Sequence, residues 1–166
     1  MDRLPRHAVR FLETLQHDVG LVVFLRGHLY VEVVIDRLIL VKMPGSEPLL
    51  DALMFRRKLE IAVQLGLVSK ECAKAICVLN SIRNDFAHDL EVDELTEEDD
   101  RRMKSSLSAR LETKARDCVS SDPGSVVGGW TRAGIAAIYN DLQHSLIEQL
   151  GEIKRAERAR QSAPSA

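Results

Sequence analysis

The residue types best suited to chemistry in this chain stand together in Arg83-Asn84-Asp85-Phe86-Ala87-His88. A guanidinium grips phosphate oxygens in bidentate fashion, and an imidazole moves protons near neutral pH. Asn84 and His88 are four apart, so on a helix they share a face and the amide can orient the ring. On a wheel of about 100° per residue, Arg83 falls in the apolar sector of Cys72, Ile76, Leu79, Phe86 and Leu90, while His88 points about 140° away. An arginine in that sector must find a partner or line a cleft, because an unpaired buried charge is expensive. Two readings stay open. In one, Arg83 pairs with Glu32, Asp36 or Glu60, and His88 ends the helix, where a cationic ring is mildly favourable. In the other, Arg83 and His88 converge on a phosphate. That convergence needs a distorted helix end or a second subunit, and so points to a homodimer with residues of both chains in one cleft.

Other clusters give weaker signals. His28, Glu32 and Asp36 are spaced by four and form one stripe if their segment is helical. Their types suit a metal, but a solvated stripe, or one paired with Arg83 or Arg56, is the plainer expectation, and no metal is expected. Arg56-Arg57-Lys58 is expected to be a solvated helix face. Asp89–Asp100 holds eight acidic residues in twelve. It lacks the central glycine and ligand spacing of a calcium loop, so a solvated linker is expected, one that would repel RNA from its side. Cys72, Cys77 and Cys118 offer no C-x-x-C pair and read as small apolar side chains. Gly128-Gly129 lacks the pattern of a phosphate loop, and no nucleophile-elbow motif occurs. No cofactor is expected.

The elements that must position these residues read as helices. Ala8, Phe11, Leu12, Leu15 and Val19 recur at three and four and predict a helix over Pro5–Val19. Leu21–Val41 is ambiguous. As a helix it is apolar nearly all round, hence buried or at a subunit interface. As strands it is credible too, with Val and Ile in plenty and Arg26-Gly27-His28 as a turn. Beyond a loop at Met43–Pro48, the spacing predicts a helix over Leu49–Leu65 stopped by Gly66. Ser69 caps the next, Lys70 to His88. Thr96 and Asp99 resemble a capping box opening a helix from Glu97 to Val119. The last helix, Trp130–Ile153, carries Ile135, Ile138, Tyr139, Leu142, Leu146 and Leu150 on one face. Trp130 and Tyr139 read as core. Residues 154–166 are charged, then rich in Ser, Ala and Pro, and are expected to be a frayed or disordered tail. The fold class is therefore an all-α single-domain bundle of five or six helices over residues 1–153.

Composition agrees with that class. The 166 residues are 45% hydrophobic and 29% charged, with net charge −2, as in an ordinary globular domain. Aromatics at 4% argue against a stacked-ring platform for single-stranded nucleic acid. The charge balance argues against an autonomous duplex binder. Val19–Val41 is interrupted by five charged or histidine residues, so no membrane span is expected. The first residues lack an apolar signal core, and the expected location is cytoplasmic.

The motif Arg83–His88, with a polar residue directly after the arginine, resembles the R-x4-H motif of the HEPN superfamily. The text around it resembles the mannitol repressor family of that group. The matching stretches are Glu32-Val33-Val34-Ile35-Asp36-Arg37-Leu38, Pro48-Leu49-Leu50-Asp51 and Arg57–Val68, followed by the motif and its acidic continuation. The likeness covers about 19–100, and the last third is similar only in being helical. The resemblance implies that Val19–Val41 is helical and that the chain forms a homodimer. In ribonucleases of the superfamily the arginine and histidine act on RNA without metal, the RNA 2′-hydroxyl attacking. Carried over, Arg83 would bind the scissile phosphate, His88 would be the acid–base group and Asn84 would tune the site. Mannitol repressors are instead transcriptional regulators. This chain has no defensible helix-turn-helix, zinc or basic-zipper pattern, so regulation through a protein or RNA partner is expected in place of direct operator reading.

Overall fold

The computed structural model describes residues 20–88, 94–119 and 122–161. The helix expected over 5–19 and the connector positions 89–93 lie outside the described residues. Among those described, every regular element is helical: α1 (Gly20–Lys42), α2 (Glu47–Asp51), α3 (Phe55–Gln64), α4 (Lys70–His88), α5 (Glu97–Ser106), α6 (Ala109–Asp117), a 3₁₀ turn (Pro123–Ser125) and α7 (Gly129–Gln161). Together they form one all-α domain.

The ambiguous apolar segment is helix α1. Phe24, Val31, Val34, Ile35, Leu38 and Ile39 are fully buried along it. Gly27 is no turn. It is the point where α7 crosses α1 so closely that a Cβ at this position would lie 2.7 Å from Ile135 Cγ2. A mid-helix glycine costs about 1 kcal/mol against alanine, and here close packing offsets it. Further along, the Tyr30 and Tyr139 rings sit 6.3 Å apart, edge to face. Residue 27 thus meets 135 and residue 30 meets 139, so α1 and α7 run parallel. Helix α4 runs antiparallel to α1: Phe86 packs on Phe24, ring centroids 5.5 Å apart, and Asn80 meets His28.

Two expected helices are each two. The helix expected over Leu49–Leu65 is broken between α2 and α3, where Met54 is extended and caps α3. Gly66 does end α3. At φ +70° it lets Leu67 N–H reach Ala62 O and its own N–H reach Val63 O, the paired bonds of a Schellman motif. The helix expected over Glu97–Val119 breaks at Leu107, whose backbone is extended. Ser108 Oγ then accepts from Leu111 N–H and starts α6. Ser105 and Ser106 turn their hydroxyls onto the carbonyls of Arg102 and Met103, a local competition with helix continuation typical of serine.

The capping box is present: Thr96 N–H donates to Asp99 Oδ2 at 3.0 Å and Asp99 N–H to Thr96 Oγ1 at 3.2 Å. The end of the acidic run is not a solvated linker. Asp99 and Asp100 are buried. Asp100 accepts from Gly128 N–H (2.7 Å), Thr131 N–H (2.8 Å) and Thr131 Oγ1–H (2.8 Å). It thereby supplies a carboxylate to the first turn of α7, where donors are otherwise orphaned and the dipole favours negative charge. Helix α7 also outruns the expected end. Residues 154–161 continue it, with 154–160 exposed, because Lys, Arg, Ala and Glu are good helix formers. Positions 162–166 lie outside the described residues.

Candidate functional site: a cleft between α3 and α4

The motif sits on the last turns of α4. Ser69 Oγ caps this helix through Cys72 N–H at 3.1 Å. Cys72, Ala75, Ile76, Leu79, Ile82 and Phe86 are buried along it. Arg83 is exposed, although the wheel places it in the apolar sector. The buried stripe shifts along the helix, from Cys72 and Ile76 near its start to Ile82 and Phe86 near its end, and Arg83 falls outside the covered side. Its Nη1–H donates to Asn84 Oδ1 at 3.2 Å. Among the described residues no carboxylate pairs with it.

Its three expected partners are taken. Lys58 Nζ lies 3.0 Å from Glu32 Oε1 and 3.0 Å from Asp36 Oδ2. Glu60 pairs with Arg57 at 2.7 Å and Arg56 at 3.4 Å. These carboxylates do form ion pairs, but with α3 cations and not with Arg83. Lys58 is correspondingly buried, so Arg56-Arg57-Lys58 is not one solvated face. Burial alone would lower the Lys58 ammonium, but the hydrogen bonds to Asp36 and Glu32 outweigh it and hold the group above its ordinary value. A protein amine thus occupies the place between two members of the proposed metal stripe. Among the described residues no group of three His, Cys, Asp or Glu side chains could hold a metal.

The third member of that stripe, His28, turns elsewhere. It is 4% exposed. Its Nε2–H donates to Asn80 Oδ1 at 3.1 Å, and its ring lies 4.5 Å from that of Phe55. Burial pushes the imidazole below its ordinary value, so the ring is neutral at neutral pH. Above it opens a cleft of about 360 Å³ between α3 and α4. Phe55 and Leu59 form one wall, Cys77, Asn80, Ser81 and Asn84 the other, and Arg56 stands on the rim. Cys77 is exposed here, unlike Cys72, whose thiol burial pushes up to about 12.

Asp85, inside the motif, is held by Arg102 of α5 at 2.7 Å. The same guanidinium donates through Nη2 to Ser81 Oγ at 2.8 Å and reaches Asp99 Oδ1 at 3.5 Å. One arginine therefore ties the motif helix to the capping box of α5. Sequence reasoning missed Asn80, Ser81 and Arg102. A signal for the first two was present, since 77, 80 or 81, 84 and 88 recur at three and four on one stripe of α4. His88 is the last residue of α4, and its side chain lies outside the described atoms. The helix is regular to that point, so positions 83 and 88 stay about 140° apart within one chain. The cleft stripe is the one on which position 88 falls.

No family model matches the chain, and no curated protein or solved structure is significantly similar to it.

Proposed function

We propose that this chain is a cytoplasmic helical regulator of mannitol-repressor type that works as a homodimer through RNA or a protein partner, not by reading an operator. The observation that carries the reading is Arg83: it is solvent-exposed beside Asn84, and the nearby carboxylates are committed to other cations. An exposed guanidinium that no carboxylate among the described residues engages is available to an external anion, and RNA phosphate fits its geometry. The sequence carries no defensible helix-turn-helix signature and its net charge is −2, which favours RNA or a protein over operator DNA.

A second reading, a metal-independent endoribonuclease of HEPN type, is favoured by Asn84 lining a cleft whose stripe includes position 88, with Arg83 hydrogen-bonded to it. Arg83 would hold the non-bridging phosphate oxygens. The RNA 2′-oxygen would attack phosphorus as the 5′-oxygen leaves. His88 would move the proton between them, with the second subunit bringing arginine and histidine together.

The experiment is RNA binding and RNA cleavage in EDTA by wild type, Arg83→Ala and His88→Ala, with folding checked by circular dichroism. The regulator reading expects RNA retained intact by wild type and released by Arg83→Ala. Cleavage lost in both folded variants would replace it with the nuclease reading. Neither binding nor cleavage by wild type would remove RNA as the partner.

A further inference from the structure

The polar wall of the α3/α4 cleft is oriented. A side-chain amide has one acceptor end and one donor end. The acceptor end of Asn80 is taken by His28 Nε2–H at 3.1 Å. That of Asn84 is taken by Arg83 Nη1–H at 3.2 Å. The oxygen of Ser81, between them, accepts from Arg102 Nη2–H at 2.8 Å. Each of the three therefore accepts from a protein donor, and among the described residues two Nδ2 amides and one hydroxyl hydrogen remain to donate. No carboxylate lines the cleft among the described residues, and Arg56 stands at its rim.

Such a wall suits a ligand made of acceptors. A cation or a neutral donor would meet hydrogen against hydrogen. An oxyanion would gain charge-assisted hydrogen bonds, the stronger class. The cleft volume of about 360 Å³ falls in the range of about 300–1,000 Å³ usual for small-molecule sites, and the Phe55–Leu59 side gives an apolar surface for what carries the anion. We infer that the α3/α4 cleft is a phosphate site for one nucleotide unit of RNA. In it, buried His28 is a positioning residue that sets the polarity of the wall by fixing the Asn80 amide. A buried imidazole is costly unless hydrogen-bonded, and among the described residues its bond across elements is to this amide. The inference rests on the RNA reading above and adds to it where one phosphate sits and what orients its donors.

The test is calorimetric titration of the full chain with 5′-AMP, adenosine and inorganic phosphate. The variants are Asn80→Asp, His28→Phe and Arg83→Ala, with thermal melting recorded for each. Asn80→Asp keeps an acceptor for His28 and replaces the outward donors by an anion. Wild type is expected to bind 5′-AMP at least tenfold tighter than adenosine. In Asn80→Asp that ratio should collapse while adenosine binding and melting stay unchanged. In His28→Phe the freed amide can turn over, and the ratio should fall several-fold in folded protein. A merely structural role for the pair would move melting and leave the ratio alone. If His28→Phe does not fold, Asn80→Asp decides alone. An unchanged ratio in Asn80→Asp, with 5′-AMP lost in Arg83→Ala, would overturn the inference and leave the RNA reading standing. No binding of 5′-AMP or phosphate by wild type would overturn it as well. RNA binding lost in Arg83→Ala would then still support the broader reading, and no RNA binding at all would end both.

Discussion

The two flanks of the bundle treat charge in opposite ways. Where α5 and α6 meet α7, charged groups are buried or covered and answered several times over. Asp141 is buried and takes a two-pronged grip from Arg110 (2.6 and 2.8 Å) and a third bond from Lys114 (2.6 Å). Asp100 takes three donors. Trp130 lies between Lys104, 4.6 Å from its ring centre, and Arg116, 4.9 Å from it. Where α3 meets α4, Arg83 stands in solvent and the amides beside it are only half engaged. Saturated buried networks fix a fold, because leaving any member alone is costly. Half-engaged groups at an open cleft add little to stability and keep capacity for a ligand. The contrast sets a flank that holds the fold against one that, on the proposed reading, would meet a ligand.

Substitutions break or sharpen this contrast. The largest effect is expected from Asp100→Ala, which strands buried donors at the start of α7 and should cost on the order of 3 kcal/mol in urea unfolding. Asp141→Asn should cost about 2 kcal/mol at neutral pH, less than for a wholly buried pair because Arg110 is half-exposed. Burial alone would raise the Asp141 carboxyl, but Arg110 and Lys114 outweigh it and hold the group below the ordinary value of 3.8. A lowered carboxylate stabilises above its unfolded value and loses that contribution as pH falls through the folded one. The gap between wild type and Asp141→Asn should therefore close as urea titrations descend below the ordinary value. Gly27→Ala should destabilise by about 1–2 kcal/mol, overpacking against Ile135 outweighing the gain in helix propensity. Arg83→Ala should change stability by less than about 0.5 kcal/mol while removing ligand binding. A loss of several kcal/mol there would erase the contrast and make Arg83 part of the scaffold.

Much of the scaffold was legible in the residues. The spacing of Cys72, Ile76 and Leu79, the stop at Gly66 and the Thr96–Asp99 box are local signals, and local structure obeys them. Helix α1 was ambiguous because its exposed face carries Leu25, Leu29 and Val33, so apolar residues stand on nearly every side and the helical period is hidden. The breaks at Met54 and Leu107 escaped because apolar residues kept the helical rhythm across them. Arg83 was misplaced on the covered face because a wheel assigns one fixed direction to burial, whereas the covered side of α4 drifts from Cys72 and Ile76 to Ile82 and Phe86. Glu32, Asp36 and Glu60 were recognised as ion-pair formers. Glu32 and Asp36 meet Lys58 only because α3 lies against α1, which no sequence spacing contains, whereas Glu60 pairs with Arg56 and Arg57 one turn back on its own helix, a spacing the sequence did offer. His28 and Asn80, 52 positions apart, meet only because α1 and α4 are antiparallel neighbours.

At Gly27 and Gly134, added Cβ atoms would come within 2.7 Å of Ile135 and Met103 respectively, and Ala133, Ala136 and Ala137 lie buried between. Helix α7 thus gives bulk at one crossing, Ile135 against Gly27 of α1, and takes it at another, Gly134 against Met103 of α5. Its crossing points behave as mortise joints, in which a change of size on one member must be matched on the other. A larger side chain at position 27 should be tolerated only with a smaller one at 135, and one at 134 only with a smaller one at 103. In any set of descendants of this sequence, those positions should drift in pairs while the cleft residues drift with the ligand.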